Sequence, residues 1–263
     1  MGIAPDRSAL ITGGASGFGL EMARRLIVND GRVAGVDVSA AALDAAAVEL
    51  GTDYLPIEAD VRDPSAMAAA VTSVVDHHGG LDTLIVSAGV IHIKPLSEVT
   101  EADWDLTLDV NLKGAFLAMQ AAARHIAAAG SRGRIVAIAS DAGKRGFSWI
   151  QAYTASKFGL VGLVESVAVE LAVSGATVNC VCPVGAPTTG MGLNVLDMKV
   201  RATGGDPDDI LAAAAKTNPL GRNATEDDVA AAIEFFLTDE AAFLTGNALD
   251  VDGGAHLGFL PGT

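Results

Sequence analysis

The sequence predicts an α/β fold: a single doubly wound parallel sheet with helices on both faces. Short apolar runs alternate with longer, alanine-rich helical stretches along the whole chain. Several of the short runs are nearly continuous in valine, isoleucine, leucine and alanine, which is typical of strands covered on both faces. Since no linker, repeat or low-complexity tract interrupts the pattern, we expect one domain over residues 1–263.

The alternation also places the individual elements. The predicted strands are Ser8–Thr12, Arg32–Val38, Asp53–Asp60, Thr83–Ser87, Arg134–Ala139, Thr177–Cys182 and Ala248–Val251. The predicted helices are Gly19–Asn29, Ala40–Leu50, Pro64–His78, Glu101–Ala129, Ala152–Val173 and Glu226–Leu237. Two helix starts carry their own signals, because Asp63 is a candidate cap before Pro64 and Thr225 precedes an acidic first turn.

Residues 183–219 break this rhythm. The segment is rich in glycine and proline, with helical pieces between them. So long an excursion in a compact domain is usually functional, and we predict a lid over a binding site.

Composition excludes several classes of function. Half of the 263 residues are apolar and 19% are charged, which indicates a globular chain. The formal net charge of -15 disfavours binding to nucleic acid or to an anionic membrane surface. No leader-like start or apolar run of about 18 residues is found, so we expect a cytoplasmic protein. The two cysteines, Cys180 and Cys182, suggest small buried residues, and we expect no metal site.

A glycine-rich loop joins the first predicted strand to the first predicted helix. Glycines permit a tight turn and close approach of the backbone, and the helix start presents N–H groups to a phosphate. The position between a strand and a helix therefore predicts a Rossmann-type dinucleotide site. The candidate residues of this loop are Gly13, Ser16, Gly17, Phe18 and Gly19.

Asp37 stands near the end of the second predicted strand. A carboxylate at this point accepts hydrogen bonds from an adenosine ribose and repels a 2′-phosphate. No arginine or lysine lies in the glycine loop or directly after Asp37, so the sequence favours NAD over NADP. The alternative is an ordinary turn residue at a strand end.

The second half of the chain adds a further spaced set of residues. Tyr153 and Lys157 are four positions apart, Ser140 lies thirteen residues before the tyrosine, and Asn111 lies in a predicted helix. With the T-G-x-x-x-G-x-G spacing of Thr12–Gly19, this set resembles the short-chain dehydrogenase/reductase family, over nearly the whole chain. The resemblance implies catalysis by Asn111, Ser140, Tyr153 and Lys157.

The resemblance also implies further contacts with the cofactor. Asp60 and Val61 match the family's adenine contact, and the family's N-N-A-G is here Val86-Ser87-Ala88-Gly89. Counted from Pro183, Ala186 falls where the family's backbone meets the nicotinamide carboxamide, and Thr188 where a hydroxyl assists. The family implies a ribose contact for Lys157 and a water-linked proton relay for Asn111.

The chemistry can be argued from the side chains themselves. Hydride removal from a carbinol carbon needs a base for the hydroxyl proton, and Tyr153 serves if its pKa falls. Lys157 is on the same helical face and can favour the phenolate, while Ser140 can hydrogen-bond the substrate oxygen. Substrate-contact candidates are His92, Asp141, Trp149 and Gln151.

These observations predict an oxidoreductase that moves a hydride between NAD and a secondary alcohol or ketone. We expect a dinucleotide-binding half over about residues 1–150, a catalytic and substrate half over about 134–263, and the lid over about 183–219. The alternatives are an NADPH-type ketoreductase of acyl thioesters and a non-catalytic dinucleotide-binding regulator. Apolar positions around much of the helix from Ala152 to Val173, together with the family resemblance, favour a homotetramer or homodimer.

Overall fold

The computed structural model describes Ile3 and residues 5–257. Its strands are β1 (Ser8–Thr12), β2 (Arg32–Asp37), β3 (Tyr54–Glu58), β4 (Thr83–Val86), β5 (Arg134–Ile138), β6 (Thr177–Pro183) and β7 (Ala248–Val251). They form one parallel sheet in the order β3-β2-β1-β4-β5-β6-β7. The predicted doubly wound parallel sheet is therefore confirmed.

The winding starts at β1. Leu10 pairs with Ala34 of β2 on one side and with Leu84 of β4 on the other. The chain thus leaves β1 in one direction towards β3 and in the other towards β7. This reversal leaves a crevice at the carboxyl ends of β1 and β4, where ligands bind in open α/β sheets.

The helices cover both faces of the sheet. They are α1 (Gly17–Val28), α2 (Ala40–Leu50), α3 (Pro64–His78), α4 (Glu101–Leu108), α5 (Gly114–Ala128), α6 (Gln151–Leu171), α7 (Gly190–Thr203), α8 (Pro207–Lys216) and α9 (Glu226–Leu237). Both predicted caps are confirmed: Asp63 accepts from the backbone of Ser65 and Ala66, and Thr225 forms a capping box with Asp228.

One predicted helix is interrupted. The sequence predicts a continuous helix over Glu101–Ala129, whereas α4 and α5 are separated by a wider π-helical turn at Asp109–Lys113. At its end, a Cβ on Gly114 would lie 2.7 Å from a methyl of Val61, so the glycine allows close approach at this point. Such turns are frequent at functional sites, and this one contains Asn111.

Two apolar clusters form the core, one on each face of the sheet. The first includes Met67 of α3, Ala118 of α5 and Val164 of α6, and the second includes Met22 of α1 and Ile233 of α9. Cys180 and Cys182 are fully buried in the first cluster, as predicted. Among the residues that the structure describes, no helix is long and apolar enough to cross a membrane.

The predicted lid contains the helices α7 and α8. Thr189 caps α7 by accepting from the backbone N–H of Gly192 at 2.9 Å, and Asp206 caps α8 in the same way. Gly204 ends α7 in the left-handed conformation (φ 68°) that favours glycine. The helical pieces expected from the sequence are therefore present, and the lid motion stays a prediction.

Candidate active site

The glycine loop brings the backbone that follows β1 close to the backbone that follows β4. Gly13 has φ 64°, and a Cβ there would lie 2.9 Å from Cα of Ala88. A Cβ on Gly19 would collide with the carbonyl oxygen of Gly13. A larger residue at Gly19 would push the first turn of α1 away from the loop, and one at Gly13 would push the loop away from the segment after β4. The loop therefore keeps its tight form only with glycine.

The start of α1 offers its N–H groups to an anion. Within the described part of the chain, the Ser16 side chain makes no capping hydrogen bond, and the first turn, Gly17–Leu20, contains no acidic residue. Gly17 also lines a cleft of about 360 Å³ with Thr188 and Thr189. Uncapped N–H groups and a positive helix end suit the pyrophosphate of a dinucleotide.

Asp37 ends β2 beside this loop. Its Oδ1 accepts a hydrogen bond from the backbone N–H of Ser39 at 3.1 Å, which fixes the turn into α2. The side chain is partly exposed and retains acceptor capacity for a ribose diol. The residues of the loop and Asp37 together therefore suit a dinucleotide cofactor.

Sequence reasoning missed Tyr54, which holds the glycine loop in place through a hydrogen bond. Its hydroxyl donates to the carbonyl of Gly14 at 3.1 Å, and the ring lies against Gly35 where any Cβ would clash. Burial, with the nearby Asp37 carboxylate, raises the pKa of Tyr54 to about 12, so this phenol stays a neutral donor. The glycine at position 35 inside an apolar strand was the available signal.

Asp60 and Val61 follow β3 at the same edge of the sheet. The Asp60 carboxylate binds the Arg62 guanidinium, with Oδ2 2.6 Å from Nη2, and this contact lowers the pKa of Asp60. Val61 is buried against Gly114. The adenine contact of this pair stays a prediction, and Arg62 is a partner that the sequence did not reveal.

The segment after β4 is held by Thr12. Its Oγ1 accepts from the backbone N–H of Ser87 at 3.1 Å and from that of Ala88 at 3.3 Å. A Cβ on Gly89 would lie 3.5 Å from Oδ1 of Asn111 and 3.9 Å from Nζ of Lys157. The loop that replaces N-N-A-G thus lies directly beside two of the candidate catalytic residues.

Asn111 fixes the geometry between α4 and α6. Its Oδ1 accepts from the backbone N–H of Val90 at 2.8 Å, and its Nδ2 donates to the carbonyl of Val90 and to Oγ of Ser156. Only 1% of the residue is exposed. With these bonds Asn111 links the loop after β4 to α6.

Ser140 and Tyr153 lie together at the carboxyl end of β5. Ser140 accepts from the backbone N–H of Ala142 at 3.2 Å and donates to Oδ1 of Asp141 at 3.0 Å. Burial raises the pKa of Tyr153 to about 12, while the Ser140 hydroxyl lowers it and the Asp141 charge raises it. Before ligands bind, Tyr153 is therefore a protonated phenol at neutral pH.

Lys157 lies one helical turn beyond Tyr153. Its Nζ is 5.5 Å from the centre of the Tyr153 ring and donates to the carbonyl of Ile138 at 2.7 Å. Burial lowers the pKa of Lys157 to about 8. The ammonium thus predominates below about pH 8.

Three of the substrate-contact candidates, His92, Trp149 and Gln151, lie on neighbouring segments of the chain. The backbone N–H of Lys94 donates to the carbonyl of Trp149 at 2.9 Å, which joins the loop containing His92 to the segment after Ser140. Trp149 adopts φ 70°, an uncommon conformation for a bulky residue. Gln151 starts α6, and its buried Oε1 has no hydrogen-bond partner among the described residues.

His92 is set up as a hydrogen-bond acceptor. Thr107 donates its hydroxyl to the carbonyl of Asp103 at 2.8 Å, so the 3.2 Å contact with Nδ1 of His92 requires the imidazole to donate. Nε2 then carries the lone pair, and it is buried without a partner in the described structure. Burial lowers the pKa of His92, which keeps the ring neutral.

Ala186 and Thr188, the lid residues predicted to contact the cofactor, have hydrogen-bond partners within the chain. Ala186 is buried, and its carbonyl accepts from the hydroxyl of Thr189 at 2.9 Å. The Thr188 hydroxyl donates to the Glu226 carboxylate at the start of α9. Thr189 lies nearer the glycine loop, because a Cβ on Gly17 would be 3.8 Å from its Cβ. The sequence did not reveal this approach of Thr189, because counting positions cannot place a side chain.

Comparison with known proteins identifies the family. A family model described as short chain dehydrogenase matches residues 7–199. The chain belongs to the short-chain dehydrogenase family. Members of this family bind a nicotinamide dinucleotide, and this short-chain dehydrogenase is therefore an oxidoreductase. Over the residues that the structure describes, no group of three metal-binding side chains is found.

Two curated relatives and one solved structure are especially similar to this short-chain dehydrogenase. D-threitol dehydrogenase of Mycolicibacterium smegmatis is 37% identical, over 94% of this chain and 91% of the relative. Galactitol 2-dehydrogenase of Agrobacterium fabrum is 31% identical, over 95% and 97% of the two chains. A variant of actinorhodin polyketide ketoreductase with NADPH superposes with a TM-score of 0.89 and 32% identity, over 95% and 97% of the two chains.

Proposed function

We propose that this short-chain dehydrogenase transfers a hydride between NAD and a secondary alcohol or ketone. The observation that carries the proposal is the buried group of Ser140, Tyr153 and Lys157 beside the loop after β4. The glycine loop and Asp37 lie at the same edge of the sheet. A proton-transfer group next to a dinucleotide cradle is what oxidation of an alcohol requires.

Each catalytic side chain has a separate task in this proposal. A nicotinamide held by these residues would supply the hydride acceptor for alcohol oxidation and the hydride donor for ketone reduction. Tyr153 takes the hydroxyl proton during oxidation and gives it back during reduction. Ser140 donates a hydrogen bond to the substrate oxygen, and the Lys157 ammonium stabilises the phenolate. Asn111 orders the surroundings and supports proton exchange with water.

The proposed cofactor-binding residues begin with the glycine loop and Asp37. Gly13, Ser16, Gly17, Phe18 and Gly19 meet the pyrophosphate, and Asp37 binds the adenosine ribose. The remaining contacts are those that the family resemblance implies: Asp60, Val61, Ser87, Ala88, Gly89, Tyr153, Lys157, Ala186 and Thr188. Asp37 favours NAD, although the similar ketoreductase was solved with NADPH.

The relatives and the site suggest a polyol-like substrate. Two relatives act on threitol and galactitol by their names. Nε2 of His92 is a buried acceptor with no partner among the described residues, and a second hydroxyl of a polyol is a donor that would satisfy it. Asp141, Trp149 and Gln151 complete the proposed substrate contacts. A cytoplasmic location remains a prediction of the sequence.

An absorbance assay tests the proposed function. We expect the protein to form NADH from NAD with polyols such as threitol and with simple secondary alcohols. The acyl-thioester alternative instead requires faster reduction of a β-ketoacyl thioester with NADPH. The regulator alternative requires tight NADH binding without turnover on any of these substrates. Either result would contradict the proposal.

Lid closure is expected over residues 183–219. No residue of the described helices α7 and α8 is buried, so few apolar contacts hold them in place. We expect amide hydrogen exchange in both helices to slow by at least about tenfold when NAD and an alcohol bind. Helix α9 serves as the internal reference. Equal exchange in the free and bound states would show that the segment does not close.

A homotetramer or homodimer is the proposed assembly. Phe116 of α5 and Phe158 and Val169 of α6 are exposed by 43%, 47% and 78%, respectively. Apolar side chains on two adjacent helices suggest that another subunit covers them. Light scattering after size exclusion should give two or four times the 26.6 kDa chain mass. A mass near one chain at about micromolar concentration would refute the assembly.

A further inference from the structure

The hydroxyl proton of Ser140 is already engaged in a hydrogen bond before a substrate binds. Its one hydroxyl proton goes to Oδ1 of Asp141 at 3.0 Å, and its oxygen accepts from the backbone N–H of Ala142. A serine hydroxyl has a single proton to donate. Ser140 can therefore donate to a substrate oxygen only if that proton leaves Asp141.

The Asp141 carboxylate is held from its other side by Arg145. Nη2 of Arg145 lies 3.1 Å from Oδ2 of Asp141, and the backbone N–H of Arg145 donates to the carbonyl of Asp141. The Asp141 side chain is only 17% exposed, so this pair is partly shielded from water. Charge-assisted bonds in such surroundings hold a carboxylate in one position.

Arg145 is itself fixed by two further contacts. Nη1 donates to the carbonyl of Ala255 at 2.9 Å, and the guanidinium lies 5.2 Å from the centre of the Phe147 ring. The contact with Ala255 joins the segment after β5 to the segment after β7. The neighbouring Lys144 makes a parallel tie, with Nζ 2.7 Å from Oδ2 of Asp250.

We propose that Arg145 is a positioning residue for the proposed reaction: it holds and neutralises Asp141, so that Ser140 can turn its proton from Asp141 to the substrate oxygen. This inference rests on the proposed function. Before the substrate binds, Asp141 accepts the hydrogen bond from Ser140. Arg145 makes Asp141 a weaker acceptor, so the substrate oxygen can compete for that hydrogen bond. Without Arg145, the carboxylate would be a stronger acceptor for Ser140 and an uncompensated charge beside Tyr153.

Electrostatics give the proposal a distinctive signature. The Asp141 charge raises the pKa of Tyr153. A positive Arg145 bound to that carboxylate should oppose the effect. Lys157, on the same helix, also faces Tyr153, with its Nζ 5.5 Å from the centre of the ring. From β6, Cys180 and Cys182 lie near Lys157, and a thiolate at either position would raise the pKa of the lysine. Loss of Arg145 should therefore move the Tyr153 titration to higher pH, and loss of the Asp141 charge should move it to lower pH.

The experiment measures kcat/KM for alcohol oxidation from about pH 6 to about pH 10. Arg145→Met keeps the length of the side chain and removes the charge. We expect its acid limb to shift upward by about half to one pH unit, and its rate at neutral pH to fall about three- to tenfold. Arg145→Lys keeps the positive charge, so its acid limb should return most of the way to that of the unmodified protein. Asp141→Asn should shift the limb downward, and the double variant Asp141→Asn/Arg145→Met should lie near the unmodified protein.

A merely structural function for Arg145 predicts a different result. Arg145→Met would then lower the rate with an unchanged midpoint, and the double variant would not recover; either outcome overturns the proposal. If Arg145→Met fails to fold, Asp141→Asn alone decides, because an unchanged midpoint in that variant also overturns it.

A second readout is independent of turnover. The chain has two tyrosines, so in a Tyr54→Phe background the tyrosinate absorbance reports Tyr153 alone. At a fixed alkaline pH with NAD present, Arg145→Met should lower that absorbance and Asp141→Asn should raise it. If no alcohol is oxidised, the proposed function fails, while this titration still tests the effect of Arg145 and Asp141 on Tyr153. Equal absorbance in all variants would refute the proposed function of Arg145.

Discussion

Tyr153→Phe is expected to reduce turnover by about 10²- to 10⁴-fold while the protein still binds NADH. The substitution removes one hydroxyl and keeps the ring, which is buried and packed at the start of α6. No other phenol can replace the lost proton carrier, because the second tyrosine donates to Gly14 beneath the glycine loop. The measurement is single-turnover formation of NADH, with cofactor affinity from fluorescence titration.

Lys157→Met provides the matched comparison for Tyr153→Phe. It keeps the phenol but removes the positive charge 5.5 Å from its ring. Because that charge favours the phenolate below about pH 8, its loss should slow oxidation most at neutral pH and less at alkaline pH. Tyr153→Phe should instead be slow at every pH. Near-normal turnover of Tyr153→Phe on an accepted alcohol would remove Tyr153 from the mechanism.

Asp37→Ala is expected to narrow the preference for NAD over NADP by about 10²-fold or more. Hydrogen bonds to a charged carboxylate contribute about 1.5–3 kcal/mol each, and their loss weakens NAD. The same change removes the repulsion of a 2′-phosphate, which strengthens NADP. Values of kcat/KM for both cofactors, measured on one alcohol, give the ratio.

Asp37→Asn separates charge from local structure in this test. Asp37 also accepts from Ser39 at the turn into α2, and asparagine keeps an oxygen for that bond. We expect Asp37→Asn to admit NADP almost as well as Asp37→Ala, with less loss of thermal stability. An unmodified protein that prefers NADP would show that Asp37 does not select the cofactor.

Local sequence patterns were sufficient for most of the fold. Buried parallel strands are continuous apolar runs and their helices are amphipathic or alanine-rich, so period and composition reveal both. The bounds of β1, β7, α2, α3 and α9 agree with those predicted. The break between α4 and α5 was not predictable, because a π turn has no strong propensity signal and depends on packing.

The sequence by itself determined the order of elements, the dinucleotide loop and the spacing of Ser140, Tyr153 and Lys157. These features are local, since each depends on a few neighbouring residues along the chain. Only the tertiary structure showed that Tyr54 supports the loop, that Thr189 lies nearer to it than Thr188, and that Arg145 holds Asp141. Such contacts depend on where separate elements meet and on how burial shifts each pKa, and neither can be calculated from spacing along the chain.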